Sequence, residues 1–318
     1  MLTNIKSKLI LQKVVEKLKR KIKLKIFKHN KKLSDRLNIR LKDFKRFEQI
    51  KELNKNFDLN LNDNDDIKKL NFKMKFRPNI LSGYVVNLAF DKLEDLNLMF
   101  NEINDISLLE KAELPRLKHL NLANNKISDI KVLEKVNFPE LKKLDLSYNK
   151  ISDINILQKV NFEKLQILDL SMNKISDITI LEKANIKYLN TLDLSMNQII
   201  DINILAKVLF EDLEFLNLNS NQISDINILE KVNFPKLKRL YLSHNKISNI
   251  DVLSKIKFDK LRLLYLSYNK IKDVQVLDEI NFKEIYKIYL CCNDVYVEKI
   301  RNLKNSEKIN YFVPSSSA

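Results

Sequence analysis

Glycine is almost missing from this chain. One residue in 318, Gly83, is all it has. Glycine lets a backbone turn through left-handed conformations or come close to a phosphate. Neither a G-x-G-x-x-G loop nor a P-loop can therefore be built here. Tryptophan is absent, and there are two cysteines, the adjacent pair Cys291 and Cys292. Neighbouring residues rarely bridge, so no disulfide framework is expected and a reducing compartment fits best. No apolar run approaches the roughly 18 residues that span a bilayer. The longest early one, Leu9-Ile10-Leu11, is far short of a signal peptide's apolar core. The expected location is intracellular, cytoplasmic or nuclear.

The residues of catalysis are also scarce. The three histidines, His29, His119 and His244, fall in distant segments, and no Cys/His metal spacing can be drawn. Asp58, Asn60 and Asn62 imitate the opening of a calcium loop. However, Asp63 stands where the loop needs glycine, and Lys69 where it needs the closing glutamate. Serines lie near His244, but Ser243 and Ser267 recur with the period described below, which gives them a repeat role. The sequence leads us to expect no enzyme activity, no cofactor and no metal.

What is abundant is basic charge, unevenly placed. The net charge is +16, yet residues 1–56 hold 19 Lys and Arg against 5 Asp and Glu. Almost all the excess sits in that N-terminal segment, which implies a region with its own task.

The rest of the chain is periodic. Leucine or isoleucine recurs at 93, 117, 141, 165, 189, 213, 237, 261 and 285, spaced 24 apart without insertion or deletion. Each is followed in phase by Leu or Ile at the fourth and Leu at the sixth repeat position. An asparagine stands at the ninth: Asn101, Asn125, Asn149, Asn173, Asn197, Asn221, Asn245, Asn269 and Asn293. The motif is L-x-x-L-x-L-x-x-N-x-I. The L-x-L alternation predicts a short strand with one face inward. Later columns such as Ile130, Leu133, Val136 and Phe138 change to spacings of three and four, which suits a helical turn on the return path. Asp129, Asp153, Asp177, Asp201 and Asp225 are placed to cap that turn, and Pro115, Pro139 and Pro235 to end the segment after it. One such unit cannot bury its apolar face alone, so neighbours must stack and interfaces must carry the stability. Nine parallel strands would make a sheet roughly 38 Å along the stack.

These columns resemble the leucine-rich repeat family. The resemblance implies an α/β, right-handed solenoid with a concave parallel β-sheet and short helical turns on the convex side. It also implies that the asparagines form a ladder that satisfies buried backbone groups. Secreted members place phenylalanine nearer the middle of the return segment and carry cysteine-rich caps. Here phenylalanine is at position 22. The N-x-I-x-x-I-x-x-L run looks like the intracellular, phosphatase-regulating type, although those use 22 residues. Cys292-Asn293-Asp294 matches the short C-x-D of bacterial leucine-rich-repeat ubiquitin ligases, but here it lies within the repeat register.

The expected organisation is a basic helical segment over 1–56, a worn N-terminal cap over 57–92, the array over 93–294, and a C-terminal cap and tail over 295–318. Residues 33–57, with Leu37, Leu41, Phe44, Phe47 and Ser34 as N-cap, read as an amphipathic helix. Phe72, Met74, Val85 and Phe90 keep the 24-residue phase upstream of the array. Val295, Val297, Ile300, Leu303 and Ile309 are expected to cover the other end, and Pro314 to Ala318 to form a tail.

Recognition is expected where side chains leave the concave sheet. Position 5 carries Asp145, Asp169 and Asp193 on adjacent strands, then Tyr241, Tyr265 and Tyr289. Arg239 at position 3, with His244 and Tyr268 at position 8, belongs to the same end. Tyrosine and arginine bury much area while keeping a polar tip, as interface anchors do. The expectation is a tyrosine end that anchors a partner and an aspartate stripe that selects positive charge. The competing reading is drift after duplication. The N-terminus carries three further readings: a nuclear-import signal around Lys19-Arg20-Lys21, an anionic-membrane helix within residues 1–32, and nonspecific RNA contact. Against them stands a helix packed on the array. No interleaving of aromatic and basic residues of the RNA-binding kind appears, which argues against nucleic acid. The favoured function is a non-catalytic protein-binding scaffold or regulatory subunit. The alternatives are a ubiquitin-ligase substrate receptor, or an N-terminus that directs membrane or nuclear association.

Overall fold

The computed structural model describes residues 68–71, 92–304 and 306–311. The expected N-terminal helices, the residues Phe72 to Phe90, and the tail from Pro314 lie outside the described residues. Every L-x-L column forms a strand of three residues: β2 Asp95–Asn97, β3 His119–Asn121, β4 Lys143–Asp145, β5 Ile167–Asp169, β6 Thr191–Asp193, β7 Phe215–Asn217, β8 Arg239–Tyr241, β9 Leu263–Tyr265 and β10 Lys287–Tyr289. Two more strands flank them, β1 Lys69–Asn71 and β11 Ile309–Asn310. The eleven form one sheet in chain order, and each pair is parallel. This is the right-handed solenoid topology that such crossovers dictate.

One end of the sheet departs from expectation. The 24-residue phase places Phe72 opposite Leu96, but the register places Leu70 there. The step from β1 to β2 is therefore two residues longer than each of the steps from β2 to β10.

The middle residue of each strand from β2 to β10 points inward and is at most 1% exposed, while its neighbours on the strand stay half-exposed or exposed. The period of two in a strand permits this sorting. The return path then reverses direction through a 3₁₀ turn, not a full helix. Eight such turns follow the first eight strands of the array, from Ser107–Lys111 to Gln275–Asp278. Four or five residues leave room for little more than one turn, which favours the tighter 3₁₀ form. The aspartate before each turn accepts a hydrogen bond from the N–H two residues on. Asp129 takes Lys131 N at 2.8 Å and Asp177 takes Thr179 N at 2.8 Å. Asn249 does the same for Asp251. Pro115, Pro139 and Pro235 occupy tight turns closed by bonds such as Leu117 N to Leu114 O at 3.1 Å. Proline's fixed φ suits the second position of such a turn.

The strands and 3₁₀ turns enclose a single core of Leu, Ile, Val and Phe running from Leu93 to Ile309. Phe210, Phe234 and Phe258 stack through it with centroids 6.2 and 6.4 Å apart. At the C-terminal end a short helix, α1 Val297–Arg301, precedes β11. Ile300, Leu303 and Ile309 are buried there against the last coil.

Where the strand gives way to the return path, the asparagine column takes over. Asn173 donates through Nδ2 to the carbonyls of Leu170 and Ser171 in its own coil and of Leu146 in the preceding one. Its Oδ1 accepts from Ile151 N at 2.9 Å. Asn125, Asn149, Asn197, Asn221, Asn245 and Asn269 repeat this pattern. Each amide ties two coils together and leaves no buried backbone group orphaned at that point. Asn173→Ala removes four bonds at a buried site. It is expected to destabilise the array by about 2–3 kcal/mol, read from the urea midpoint. A loss below about 0.5 kcal/mol would show the ladder to be dispensable.

Candidate partner-binding face

Positions 3, 5 and 7 of each repeat lie on the face of the sheet opposite the core. Position 8 lies at the rim, where the strand ends. The structure brings Tyr241, Tyr265 and Tyr289 together as a stack. Centroids are 4.2 Å apart in both pairs, with planes 8° and 3° from parallel. The 24-residue spacing and the strand pairing fix this geometry, since identical residues in register on neighbouring parallel strands fall about 4.8 Å apart. A fourth ring joins from the adjacent strand. Phe215, at position 3 of β7, lies 5.1 Å from Tyr241 at 47°. Arg239 places its guanidinium 5.2 Å from the Phe215 centroid. Phe215 was not among the sequence-predicted residues. The signal was present, because position 3 of that repeat is the only aromatic residue in its column.

His244 and Tyr268 form a separate pair, with centroids 4.1 Å apart and planes 10° from parallel. The single aromatic patch expected from sequence is thus two stacks, one along position 5 and one along position 8. Cys292 follows Tyr268 on the rim, and its side chain beside the phenol raises the Tyr268 pKa. Neither cysteine is in a disulfide. Among the described residues no three His, Cys, Asp or Glu side chains gather as a metal site.

The aspartates occupy β4, β5 and β6 in register. Each is held by the serine two residues on, through both its N–H and its hydroxyl. For Asp169 the bonds from Ser171 are 2.9 and 2.6 Å. Asp145 is held by Ser147 and Asp193 by Ser195 in the same way. The serine column, neutral when read as a sequence, clamps the carboxylates. Asp193 also accepts from Asn217 at 2.9 Å, which ends the acidic row. Asp169 sits between the other two. Burial raises its pKa first, Ser171 opposes this, and its two charged neighbours add to the rise.

Position 8 shows a second regularity. Phe100, Asn124, Tyr148, Met172, Met196, Ser220, His244, Tyr268 and Cys292 all have φ between 51° and 59°. This left-handed region favours glycine and costs other residues roughly 1–2 kcal/mol. The chain could ease that strain with glycine at nine sites and does so at none. Several of the residues it uses instead are large and exposed: Phe100, Tyr148, Met196 and Tyr268.

Three stretches, residues 91–135, 139–183 and 211–255, match the family model described as leucine-rich repeats. The array is built of leucine-rich repeats. Its array is similar to internalin C2 from Listeria monocytogenes, with 28% identity over 61% of this chain and 79% of that one and a TM-score of 0.52. The functional domain of InlJ from the same organism has 23% identity over 74% of this chain and 51% of that one, with a TM-score of 0.50. The plant peptide hormone receptor RGFR1, solved in complex with RGF2, has 18% identity over 71% and 40%, with a TM-score of 0.50. Both share the fold. No curated protein sequence gives a match. Among the described residues no helix is long and apolar enough to cross a membrane.

Two expectations follow. Ser220→Gly relieves a left-handed φ of 55° without removing a large side chain. It should raise stability by about 1 kcal/mol in urea unfolding, and an unchanged or lower midpoint would count against strain at position 8. The second concerns Asp169. Its folded pKa lies above its unfolded value, so its cost to stability is absent below the ordinary aspartate range near 3.9. That cost grows as pH rises through the raised folded value. Asp169→Asn keeps an acceptor for Ser171, as Asn97 and Asn121 do for Met99 and Ala123. The variant should unfold later than wild type at pH 7 and with it near pH 3. A gap that does not depend on pH would refute the assignment.

Proposed function

We propose that this protein is a non-catalytic scaffold or regulatory subunit that works inside the cell and holds a protein partner on the concave face of its array. The stack of Tyr241, Tyr265 and Tyr289, with Phe215 tilted against its end, carries this reading. Drift after duplication scatters surface residues, whereas this stack sets one residue type into register on three neighbouring strands and adds a cation at its end. Exposed aromatic and arginine side chains placed together are the usual energetic anchors of protein interfaces. The strained rim supports the same view, because a backbone cost retained under large exposed side chains at Phe100, Tyr148, Met196 and Tyr268 calls for a use of those side chains. The aspartate row on β4 to β6 would select positive charge, and the tyrosine end would anchor. RGFR1, which shares the fold, was solved with its ligand RGF2.

The proposal includes the organisation read from sequence. Residues 1–56 are the basic N-terminal segment, 57–92 the N-terminal cap, 93–294 the array that holds the partner, and 295–318 the C-terminal cap and tail.

The test is a chemically cross-linked pull-down from native lysate. Wild type is compared with a variant carrying Tyr241→Ser, Tyr265→Ser and Tyr289→Ser, with partners identified by mass spectrometry. Loss of a partner by about ten-fold or more is expected, as for truncating interface anchors. Unchanged capture by a variant with wild-type unfolding behaviour would reject the concave tyrosines as the anchor.

A further inference from the structure

The C-terminal part of the concave face has a polarity of its own, and the following deepens the proposed use of that face. In the row Tyr241, Tyr265, Tyr289, spacings of 4.2 Å and near-parallel planes commit the ring faces to one another. Along the row a partner meets mainly ring edges and hydroxyls. An aromatic quadrupole is negative on its face and positive at its edge. The row therefore withholds the surfaces that attract cations and offers those that attract anions.

The hydroxyls add to this. The Tyr265 phenol is flanked by those of Tyr241 and Tyr289, and burial is the first cause of its raised pKa. The neighbouring Tyr265 phenol likewise raises the pKa of Tyr289. The Tyr241 O–H, at the Phe215 end of the row, can donate to an acceptor on a partner. Arg239 stands beside it, exposed, with its guanidinium resting on Phe215. Its charge reaches the row, where it opposes the rise at Tyr265. No carboxylate lies within ion-pair distance of Arg239 among the described residues. Lys287 donates to the neutral carbonyl of Glu307 at 2.8 Å and so keeps its full charge. The nearest aspartate of the acidic row, Asp193, is already bonded to Ser195 and Asn217.

We infer that β8 to β10 bind an acidic segment of a protein partner, with a glutamate or aspartate carboxylate received between the Arg239 guanidinium and the Tyr241 hydroxyl. The face is then bipolar. It is acidic over β4 to β6 and acceptor-seeking over β8 to β10, with centres four strands, or roughly 19 Å, apart. A partner that fills both ends carries positive charge at one end of its contact and negative charge at the other.

The test uses the full chain and a short peptide of alternating glutamate and glycine that carries one benzophenone. Lysine–glycine and glutamine–glycine versions are run beside it. The basic residues 1–56 attract the same glutamate probe, so the readout is the position of the photo-adducts by mass spectrometry, not total binding. Adducts on residues 239–268 are expected, with the lysine and glutamine peptides labelling them about ten-fold less. Arg239→Gln should lower the yield there about ten-fold. So should the variant combining Tyr241→Phe, Tyr265→Phe and Tyr289→Phe, which keeps the stack and removes only the hydroxyls. Adducts confined to residues 1–56, equal labelling by the lysine peptide, or yields unmoved by both variants would overturn the inference. If it fails while the serine variant still loses its partner, the concave site stands and only its assigned polarity falls.

Discussion

A side-chain amide that bonds across to the preceding coil is the interaction on which the rest of this structure depends. Apolar burial drives the coils together, but it has no direction and would tolerate coils sliding against one another. The asparagine at position 9 does not. Its Nδ2 must reach carbonyls in two coils, and its Oδ1 must meet one particular N–H of the preceding coil. A shift by one residue would break all of these and leave buried backbone groups unpaired, at a cost of about 1–3 kcal/mol each. The amide thus turns a greasy stack into a registered one. Registration then lets a residue type repeated at one position become a line of side chains in space.

The functional rows are such lines. Asp145, Asp169 and Asp193 are adjacent because their strands pair residue for residue, and the tyrosines stack for the same reason. The two rows use opposite physics. The carboxylates repel one another, and their positions are maintained by serine donors that stabilise the charged form. The rings hold together by dispersion in near-parallel stacks, and their hydroxyls are donors that a partner can meet. Between them stands Asn217, which donates to Asp193 and carries no net charge. It separates a region of crowded negative charge from one that looks for acceptors.

Most of the fold was legible in the sequence, because burial forces one residue type on each inward position. Nine leucines or isoleucines in phase leave no freedom in where Leu144 or Leu168 must go. The capping aspartates were legible too, since a side chain two residues from a free N–H has one natural partner. Other features were hidden for physical reasons. The register of β1 could not be read, because Phe72 keeps the 24-residue phase and Leu70, which pairs with Leu96, does not. The reach of Phe215 into the position 5 row depends on how its ring leans, which no column of letters records. The clamping role of Ser147, Ser171 and Ser195 is not legible in the sequence, since a hydroxyl's partner is set by backbone geometry after the strand ends. The left-handed rim was the least visible. A sequence that keeps glycine out gives no hint of where the chain bends as glycine would.

The uniform 24-residue spacing bears on how this surface could change. Every junction between coils presents nearly the same apolar columns and the same amide, so a whole coil can in principle be gained or lost without redesigning its neighbours. The coil that begins at Leu213 supplies Asn217 and Phe215, and with them the gap between the two charged zones. Removing it would slide the tyrosine end one strand toward the aspartates, about 4.8 Å, and deprive Arg239 of its ring. Doubling it would push them apart by the same step. The distance between the two halves of a bound partner's footprint is therefore quantised, and evolution can adjust it only in units of one coil.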